Sequence, residues 1–323
     1  LQQETLGSLG VNLIYGAYFY IDNPRVLVES LYDDLSLDRL EIDMIDFSGP
    51  AFQYVDNRLM SLQLVKLGMT DAVIFNSKGS NMLPADILYK KNIFAVRGSF
   101  RPVTRVNIDM FEHGLDLFNQ DNACDSENTQ ILFEITISNL RAAGDIDERD
   151  FLDRVDILGT LGYTVMISNF SEYYRMVDYF SSFTNQHIGV AMGVNNLLDV
   201  FDEEYYKNLP GGILEAFGKF FKKDMRVYLY PYKDPENGEL LTSENLKVHD
   251  NLKELYKYFK LNKRIVDIEK YNPKFLEIYS REILKKIMAH DLGWEEELPK
   301  SVAQMIKDRG MFGYKELTFE GLK

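Results

Sequence analysis

Apolar runs of strand length alternate with segments of helical periodicity along most of the chain, and this alternation predicts serial β–α units. The first two strands are predicted at residues 11–19 and 40–47, and the helices that follow them at residues 24–35 and 57–67. The remaining predicted strands are residues 72–76, 93–98, 131–138, 164–169, 188–194 and 227–232. Roughly eight such units in series indicate an α/β protein with a parallel sheet and right-handed crossovers.

The two faces of the predicted strands differ in polarity, which bears on how the sheet is arranged. Phe133 and Ile135 share one face of their strand, whereas Glu134 and Thr136 share the other. A (β/α)8 barrel accepts polar or small side chains in its lumen, whereas a doubly wound open sheet buries apolar side chains on both faces. We therefore expect a barrel-like parallel sheet, with the doubly wound open sheet as the alternative.

The chain changes character after Tyr232. A long polar stretch, KDPENGELLTSEN, is followed by segments of helical periodicity at residues 246–259, 273–288 and 302–308. The change divides the chain into a barrel-like domain at residues 1–234 and a helical C-terminal appendage at residues 235–323.

Charge and composition narrow the classes of partner and the compartment. The 323 residues carry a formal net charge of −14, and an acidic chain repels nucleic-acid backbones, so nucleic acid is not an expected partner. The single cysteine, Cys124, excludes an internal disulfide framework and fits the cytoplasm. No apolar run approaches the roughly 20 residues of a membrane span, so no membrane partner is expected. Because the first residue is not a methionine, we expect an N-terminal domain to precede this chain. A homo-oligomer is the alternative expectation.

The loop between the strand at residues 93–98 and the following helix is the strongest candidate for ligand binding. It brings Arg97, Ser99, Arg101 and Thr104 to a strand-to-helix turn, where a helix N-terminus favours an anion and arginine can bind a carboxylate or phosphate bidentately. The other candidate ligand-binding residues lie at predicted strand ends and are Ser168, Asn169, Asn195 and Lys233. The alternative is that both arginines pair with carboxylates of the chain itself.

Two carboxylates are candidates for catalysis, Glu134 and Asp46. Glu134 lies mid-strand among isoleucines, where burial raises a carboxyl pKa and suits an acid or base unless Arg97 or Arg141 pairs with it. Asp46 lies at a predicted strand end. We expect an enzyme acting on a small anionic metabolite, and a non-catalytic scaffold or regulatory protein that retains the fold stays open as the alternative.

Resident metals and cofactors leave no recognisable motif in the sequence. The four histidines are scattered without the spacing of metal ligands, so no metal site is predicted. The chain contains no Walker loop, no GxGxxG and no GxSxG, so no cofactor is assigned.

Residues 98–104, Gly-Ser-Phe-Arg-Pro-Val-Thr, resemble the start of the GSFDPxTxGH signature of nucleotidyltransferases, which include the nicotinate-nucleotide and phosphopantetheine adenylyltransferases. In that family the histidines of the motif stabilise the phosphate transition state. Here Asn107 stands at the position of the last histidine, and Arg101 replaces the aspartate. The stretch also follows the fourth predicted strand, whereas the motif of the family follows its first. Nucleotidyl transfer is therefore an alternative function, and the catalytic residues of the family do not carry over.

Longer passages resemble the C-terminal two-thirds of a widespread bacterial family that has no assigned activity. The passages are RLMSLQLVKLGMTDAVIF, LYKKNIFAVRGSFRPVT, GGILEAFGKFFKKD and IKDRGMFGY. Members of that family are often labelled nicotinate-nucleotide adenylyltransferase or TonB-dependent receptor. The resemblance implies that an N-terminal domain precedes this chain.

Overall fold

The central element is an eight-stranded mixed sheet, seen in a computed structural model that describes residues 2–120, 125–141, 144–222 and 224–315. Cys124 lies outside the described residues. The strands are β1 (Ala72–Phe75), β2 (Asn81–Met82), β3 (Asn92–Arg97), β4 (Thr129–Thr136), β5 (Val165–Ser168), β6 (Ile188–Gly193), β7 (Arg226–Tyr230), β8 (Tyr232–Lys233), β9 (Leu240–Leu241) and β10 (Ile265–Asp267). Strands β8 and β9 form a separate antiparallel pair.

Helices connect and cover the strands. The α-helices of the described residues are α1 (Gln2–Phe19), α2 (Pro24–Ser30), α3 (Asn57–Leu67), α4 (Pro84–Leu88), α5 (Arg105–Asn119), α6 (Ile137–Arg141), α7 (Glu148–Thr160), α8 (Tyr173–Phe183), α9 (Val194–Val200), α10 (Gly212–Phe220), α11 (Lys253–Leu261), α12 (Ser280–Ala289) and α13 (Lys300–Arg309). Short 3₁₀ turns lie at Pro50–Phe52, Ser126–Asn128, Glu203–Tyr206, Asp250–Leu252, Pro273–Glu277, Trp294–Glu297 and Met311–Gly313.

The order of the strands is β10-β7-β6-β3-β4-β5-β1-β2. From β10 to β5 all neighbours are parallel, whereas β1 is antiparallel to both β5 and β2. The parallel strands start at the centre with β3, proceed outwards through β4 and β5, and then resume on the other side of β3 with β6, β7 and β10. The predicted α/β class with a largely parallel sheet is thus confirmed.

The expected closure into a barrel is not seen among the described residues, because β2 and β10 remain as the two edges and β1 runs antiparallel. Helices cover both faces, as in the doubly wound alternative. One apolar cluster joins the sheet to α5, α7, α12 and α13, and a second joins the opposite face to α8, α9, α10 and α11.

The small residues that suggested a barrel lumen have a different cause. A Cβ atom added to Gly189 of β6 would lie 2.6 Å from the Phe118 ring of α5 and 2.9 Å from the Phe94 ring. There is no space for a side chain at position 189, because the aromatic rings of α5 and of the neighbouring strand pack directly against the backbone there. Small side chains on one face of a strand therefore do not distinguish a barrel from an open sheet on which a helix packs closely.

The first two predicted strands are wrong. Residues 11–19 belong to α1, and residues 40–47 form no strand, although Ile42 N–H donates to the carbonyl of Met69 at 3.0 Å. An apolar run without regular alternation fits either a strand or a helix, so the pattern of residues 11–19 could not distinguish the two. No helix of the described ranges is long and apolar enough to cross a membrane.

The segment predicted as an appendage shares the main sheet and its core. Within residues 235–315, β10 pairs with β7 and extends the sheet by one strand. Ile283 of α12, Trp294 and Ile306 of α13 are fully buried in the same cluster as Phe133. The strand was missed because it is only three residues long.

Two helical glycines allow a test of this packing. A Cβ atom at Gly159 of α7 would lie 2.6 Å from the carbonyl oxygen of Ser77, whereas nothing lies within 4 Å of that position at Gly218 of α10. We expect Gly159→Ala to lower the free energy of unfolding by about 1–3 kcal/mol, because the helix must move away from a backbone atom. The control Gly218→Ala should be neutral or raise it by up to about 1 kcal/mol. Urea unfolding measures both, and equal effects would contradict this packing.

Candidate functional site

A crevice of about 670 Å³ lies at the C-terminal ends of β3, β4, β6 and β7. The chain leaves β3 towards β4 on one side and returns to β6 on the other, so β3 and β6 flank the point where the strand order reverses. In open α/β sheets, ligands bind outside the strand ends at this switch point. The topology and the cavity therefore indicate the same location.

The loop after β3 forms one wall of the crevice, and its shape depends on Gly98 and Phe100. Phe100 has a φ of 44°, a left-handed conformation that costs free energy for a non-glycine residue. Its buried ring packs 5.3 Å from that of Phe133 and would contact a Cβ atom at Gly98 at 2.9 Å. Glycine at position 98 therefore allows the ring to fold beneath the loop.

Arg97 and Glu134 form a buried ion pair on the floor of the crevice. Nε and Nη2 of Arg97 donate to the two carboxylate oxygens of Glu134 at 2.6 and 2.9 Å, and Nη1 donates to the carbonyl of Ser171 at 3.2 Å. The side chain of Arg97 is 7% exposed and that of Glu134 is 0% exposed. Burial alone would lower the pKa of Arg97, but the charge and hydrogen bonds of Glu134 outweigh it and raise that pKa above its ordinary value.

The pair is held by further contacts. Ser168 Oγ donates to Glu134 at 2.5 Å, and the Arg97 guanidinium lies 4.4 Å from the centre of the Tyr173 ring. Glu134 thus has both oxygens occupied and does not line the crevice. This placement favours the internal pairing over a role as acid or base.

Arg101 also has an internal partner. Its Nε donates to Asp150 at 2.5 Å, and the other oxygen of Asp150 accepts from Arg154. Burial lowers the pKa of Arg154, whose Nη1 also donates to the carbonyl of Ser99 at 3.1 Å. Arg101 remains partly exposed on the crevice wall, and no bond from its terminal nitrogens occurs within the described ranges.

Four of the predicted ligand-binding residues meet at the crevice, and they are Arg97, Ser99, Arg101 and Asn195. Thr104 is fully buried and does not line the crevice, and it forms a capping box with Asn107 at the start of α5. Asn107 Oδ1 accepts from the backbone N–H of Thr104 at 3.0 Å and from its hydroxyl at 2.9 Å.

The other candidates lie outside the crevice. Ser168 is fully buried against Glu134, and the backbone N–H of Asn169 donates to the carbonyl of Asp71 beside β1. Lys233 points to the surface, where it pairs with Glu277 at 2.6 Å. Asp46 is exposed near α3 and accepts from Asn57 at 2.7 Å. Asp46 does not reach the switch point, because residues 40–47 form no strand of the sheet and the neighbouring strand β1 lies antiparallel near its edge.

Apart from Tyr232, which ends a predicted strand, sequence reasoning missed a wall of tyrosines. The lining tyrosines are Tyr173, Tyr205, Tyr206, Tyr230, Tyr232 and Tyr279. Burial raises the pKa of both Tyr173 and Tyr230, and a hydrogen bond from Tyr230 to Asp109 at 2.6 Å contributes to the second shift. Most of these tyrosines come from helices and turns instead of strand ends, so the search at strand ends passed over them.

Two charged groups of the opposite wall, those of Arg281 and Asp199, were also missed. Arg281, in the first turn of α12, lines the crevice and has no carboxylate partner in the described part of the chain. Asn196 donates to the Tyr173 hydroxyl at 2.5 Å. Asp199 lines the same region, and partial burial together with Asp202 raises its pKa. Arg281 was not considered as a ligand-binding residue, because its helix was assigned to the C-terminal appendage and not to the domain that carries the site.

Comparisons with known proteins do not assign a family. No protein-family model matches the chain, and a search of curated proteins returns no match. Among the described residues, no group of three or more His, Cys, Asp or Glu side chains is arranged to hold a metal ion.

A double-mutant cycle tests the ion pair. Arg97→Ala should lower the free energy of unfolding by about 3–5 kcal/mol, because it leaves the Glu134 carboxylate buried without a partner. The double variant Arg97→Ala, Glu134→Gln should be less destabilised than the sum of the single changes, since the stranded charge is removed. Arg281→Ala is the control and should have little effect. Additive effects of the two changes would contradict a structural pair.

Proposed function

We propose that the crevice binds a small anionic metabolite of the nucleotide class. The observation that carries the proposal is the coincidence of the cavity with the switch point between β3 and β6. Counted among the parallel strands alone, the order corresponds to 3-2-1-4-5-6, the arrangement of doubly wound sheets that bind dinucleotides at this point.

The lining fits the two parts of such a ligand. Tyrosines offer flat apolar faces against which a base or sugar ring can pack, together with hydroxyls at their edges. Positive charge is available from Arg281 and from the terminal nitrogens of Arg101. Asn195 and Asn196 add amide groups next to the end of β6. Arg97 contributes mainly to the shape of the floor, since three of its five N–H groups bond to Glu134 and Ser171.

Arg281 provides the sharpest test of binding. We expect ATP, nicotinamide mononucleotide or a sugar phosphate to raise the melting temperature, because ligand at 100 times its Kd adds about 2.7 kcal/mol to stability. Arg281→Ala should weaken that binding roughly tenfold to hundredfold, as for the loss of a charged hydrogen bond.

Lys285→Ala is the matched control, because it removes one positive charge from the same helix. Lys285 does not line the crevice. Its Kd, measured by titration calorimetry, should equal that of the unchanged chain. No thermal shift with any of these compounds would contradict the proposal and would favour a non-catalytic scaffold.

Adenylyl transfer is a second candidate, favoured by one observation. The stretch that resembles the GSFDPxTxGH signature follows β3. Sequence analysis counted this strand as the fourth, but in the structure it is the first strand of the parallel series. Two features oppose transfer: Asn107 is engaged in the capping box, and no histidine of the described residues lines the crevice.

Pyrophosphate release distinguishes transfer from binding. The chain would be incubated with ATP and nicotinate mononucleotide, and phosphate would be followed after addition of pyrophosphatase. We expect saturable binding with no release above the rate without protein, because the groups that stabilise the transferred phosphate are absent from the crevice wall. Release that depends on Arg281 would instead establish transfer.

A further inference from the structure

One carboxylate of the crevice has no partner among the described residues. The carboxylates that line the crevice in those ranges belong to Glu172 and Asp199. Glu172 lies 3.3 Å from Nε of Arg175, so a positive charge compensates it. In the same part of the chain, no cation or hydrogen-bond donor contacts the Asp199 side chain, and partial burial and the charge of Asp202 raise its pKa. The Asp199 carboxylate is therefore available to a ligand.

Asp199 and Arg281 approach the crevice from different sides. Helix α9, which carries Asp199, packs on one face of the sheet, and helix α12, which carries Arg281, packs on the other. A ligand that spans the crevice therefore meets a positive charge on one side and a negative charge on the other. Its phosphate is attracted by Arg281 and repelled by Asp199, which determines the orientation of the ligand.

The polar neighbours of Asp199 suit hydroxyl groups. Asn195 and Asn196 precede Asp199 by about one turn of α9 and line the crevice with it. A carboxylate only accepts hydrogen bonds, whereas amides donate and accept, and a sugar hydroxyl does both. An ammonium group only donates, so it would leave the donors of Asn195 without a partner. The mixture of groups therefore fits a sugar better than a cationic group.

Tyrosines lie beside these polar groups. The charge of Asp199 is the largest cause that raises the pKa of Tyr205, which places the carboxylate close to that hydroxyl. Tyr205 lines the crevice and is 51% exposed, so its ring is accessible to a ligand. The hydroxyl of Tyr173 accepts from Asn196 at 2.5 Å, which fixes the amide. Aromatic rings can pack against the C–H groups of a sugar while the carboxylate binds the hydroxyls at its edge.

We propose that Asp199 binds the ribose hydroxyls of the ligand, so that the crevice prefers ribonucleotides to 2′-deoxyribonucleotides. The proposal rests on the nucleotide binding proposed above and adds which sugar is recognised. A carboxylate is the acceptor for a ribose hydroxyl in dinucleotide-binding α/β sheets. Residues 136–139, at the end of β4, contain no carboxylate, and Glu172 pairs with Arg175, which leaves Asp199 for this role.

Titration calorimetry with ATP and 2′-deoxyATP tests the proposal. The unchanged chain should bind ATP roughly tenfold to hundredfold more tightly, because a hydrogen bond to a charged group is lost with the 2′-hydroxyl. Asp199→Ala should weaken ATP binding by a similar factor and abolish the preference between the two compounds. A carboxylate that only repels phosphate predicts the opposite sign, since its removal would tighten the binding of both.

Glu204→Ala is the matched control, because it removes one negative charge close to Asp199 in the sequence. Glu204 does not line the crevice, and its side chain is 69% exposed in a surface pair with Lys207. Both Kd values should equal those of the unchanged chain. Asp199 is partly exposed, so its variant should keep the melting temperature; if Asp199→Ala does not fold, Asp199→Asn takes its place, because it keeps the shape and removes the charge.

The outcomes separate ribose recognition from the nucleotide site itself. Equal affinity of the unchanged chain for ATP and 2′-deoxyATP overturns the proposal and leaves nucleotide binding standing. A preference for ATP that survives the change at Asp199, or tighter binding by that variant, overturns it as well. If ATP, nicotinamide mononucleotide and sugar phosphates all fail to bind, the proposed function and ribose recognition fail together.

Discussion

The buried ion pair between Arg97 and Glu134 is the interaction on which the crevice depends. Parallel pairing of β3 with β4 places these two residues in direct register at the ends of both strands. Taking either charge out of water is costly unless the other compensates it, so the pair holds the two strand ends in one geometry. Ser168 extends the constraint to β5, and the contacts of Arg97 with Ser171 and Tyr173 extend it to the start of α8.

This constraint determines where positive charge remains for a ligand. Three of the five N–H groups of the Arg97 guanidinium already bond to Glu134 and the Ser171 carbonyl, which leaves two for a ligand. Arg101 is partly committed in the same way to Asp150. Among the described arginines that line the crevice, Arg281 is the one without a carboxylate partner, and it reaches the crevice because the segment after residue 235 packs onto the sheet. That segment is therefore part of the candidate site as well as of the core.

Local signals in the sequence were sufficient for some elements and insufficient for others. Helix α3 was predicted with its observed bounds, because Asp56 caps its start and Gly68 ends it in a left-handed conformation. In contrast, residues 11–19 carry no regular alternation of polar and apolar positions, so the sequence pattern did not distinguish a strand from the helix α1, whose Gly16 packs against α2. The positions of Arg97 and Glu134 on their strands were enough to raise their pairing as an alternative to ligand binding, but not to decide between the two. The tyrosine wall was not accessible in that way, because it is assembled from helices far apart in sequence.

The position of the motif-like stretch illustrates why counting strands differs from reading topology. Along the chain, residues 98–104 follow the fourth predicted strand, which argued against the nucleotidyltransferase resemblance. In space, β1 and β2 attach antiparallel at the far edge, and residues 40–47 form no strand. The parallel series therefore starts with β3, and the loop after it occupies the position that a phosphate-binding loop holds in doubly wound sheets. The agreement in position supports a binding site, whereas Asn107 in its capping box separates that site from the chemistry of the family.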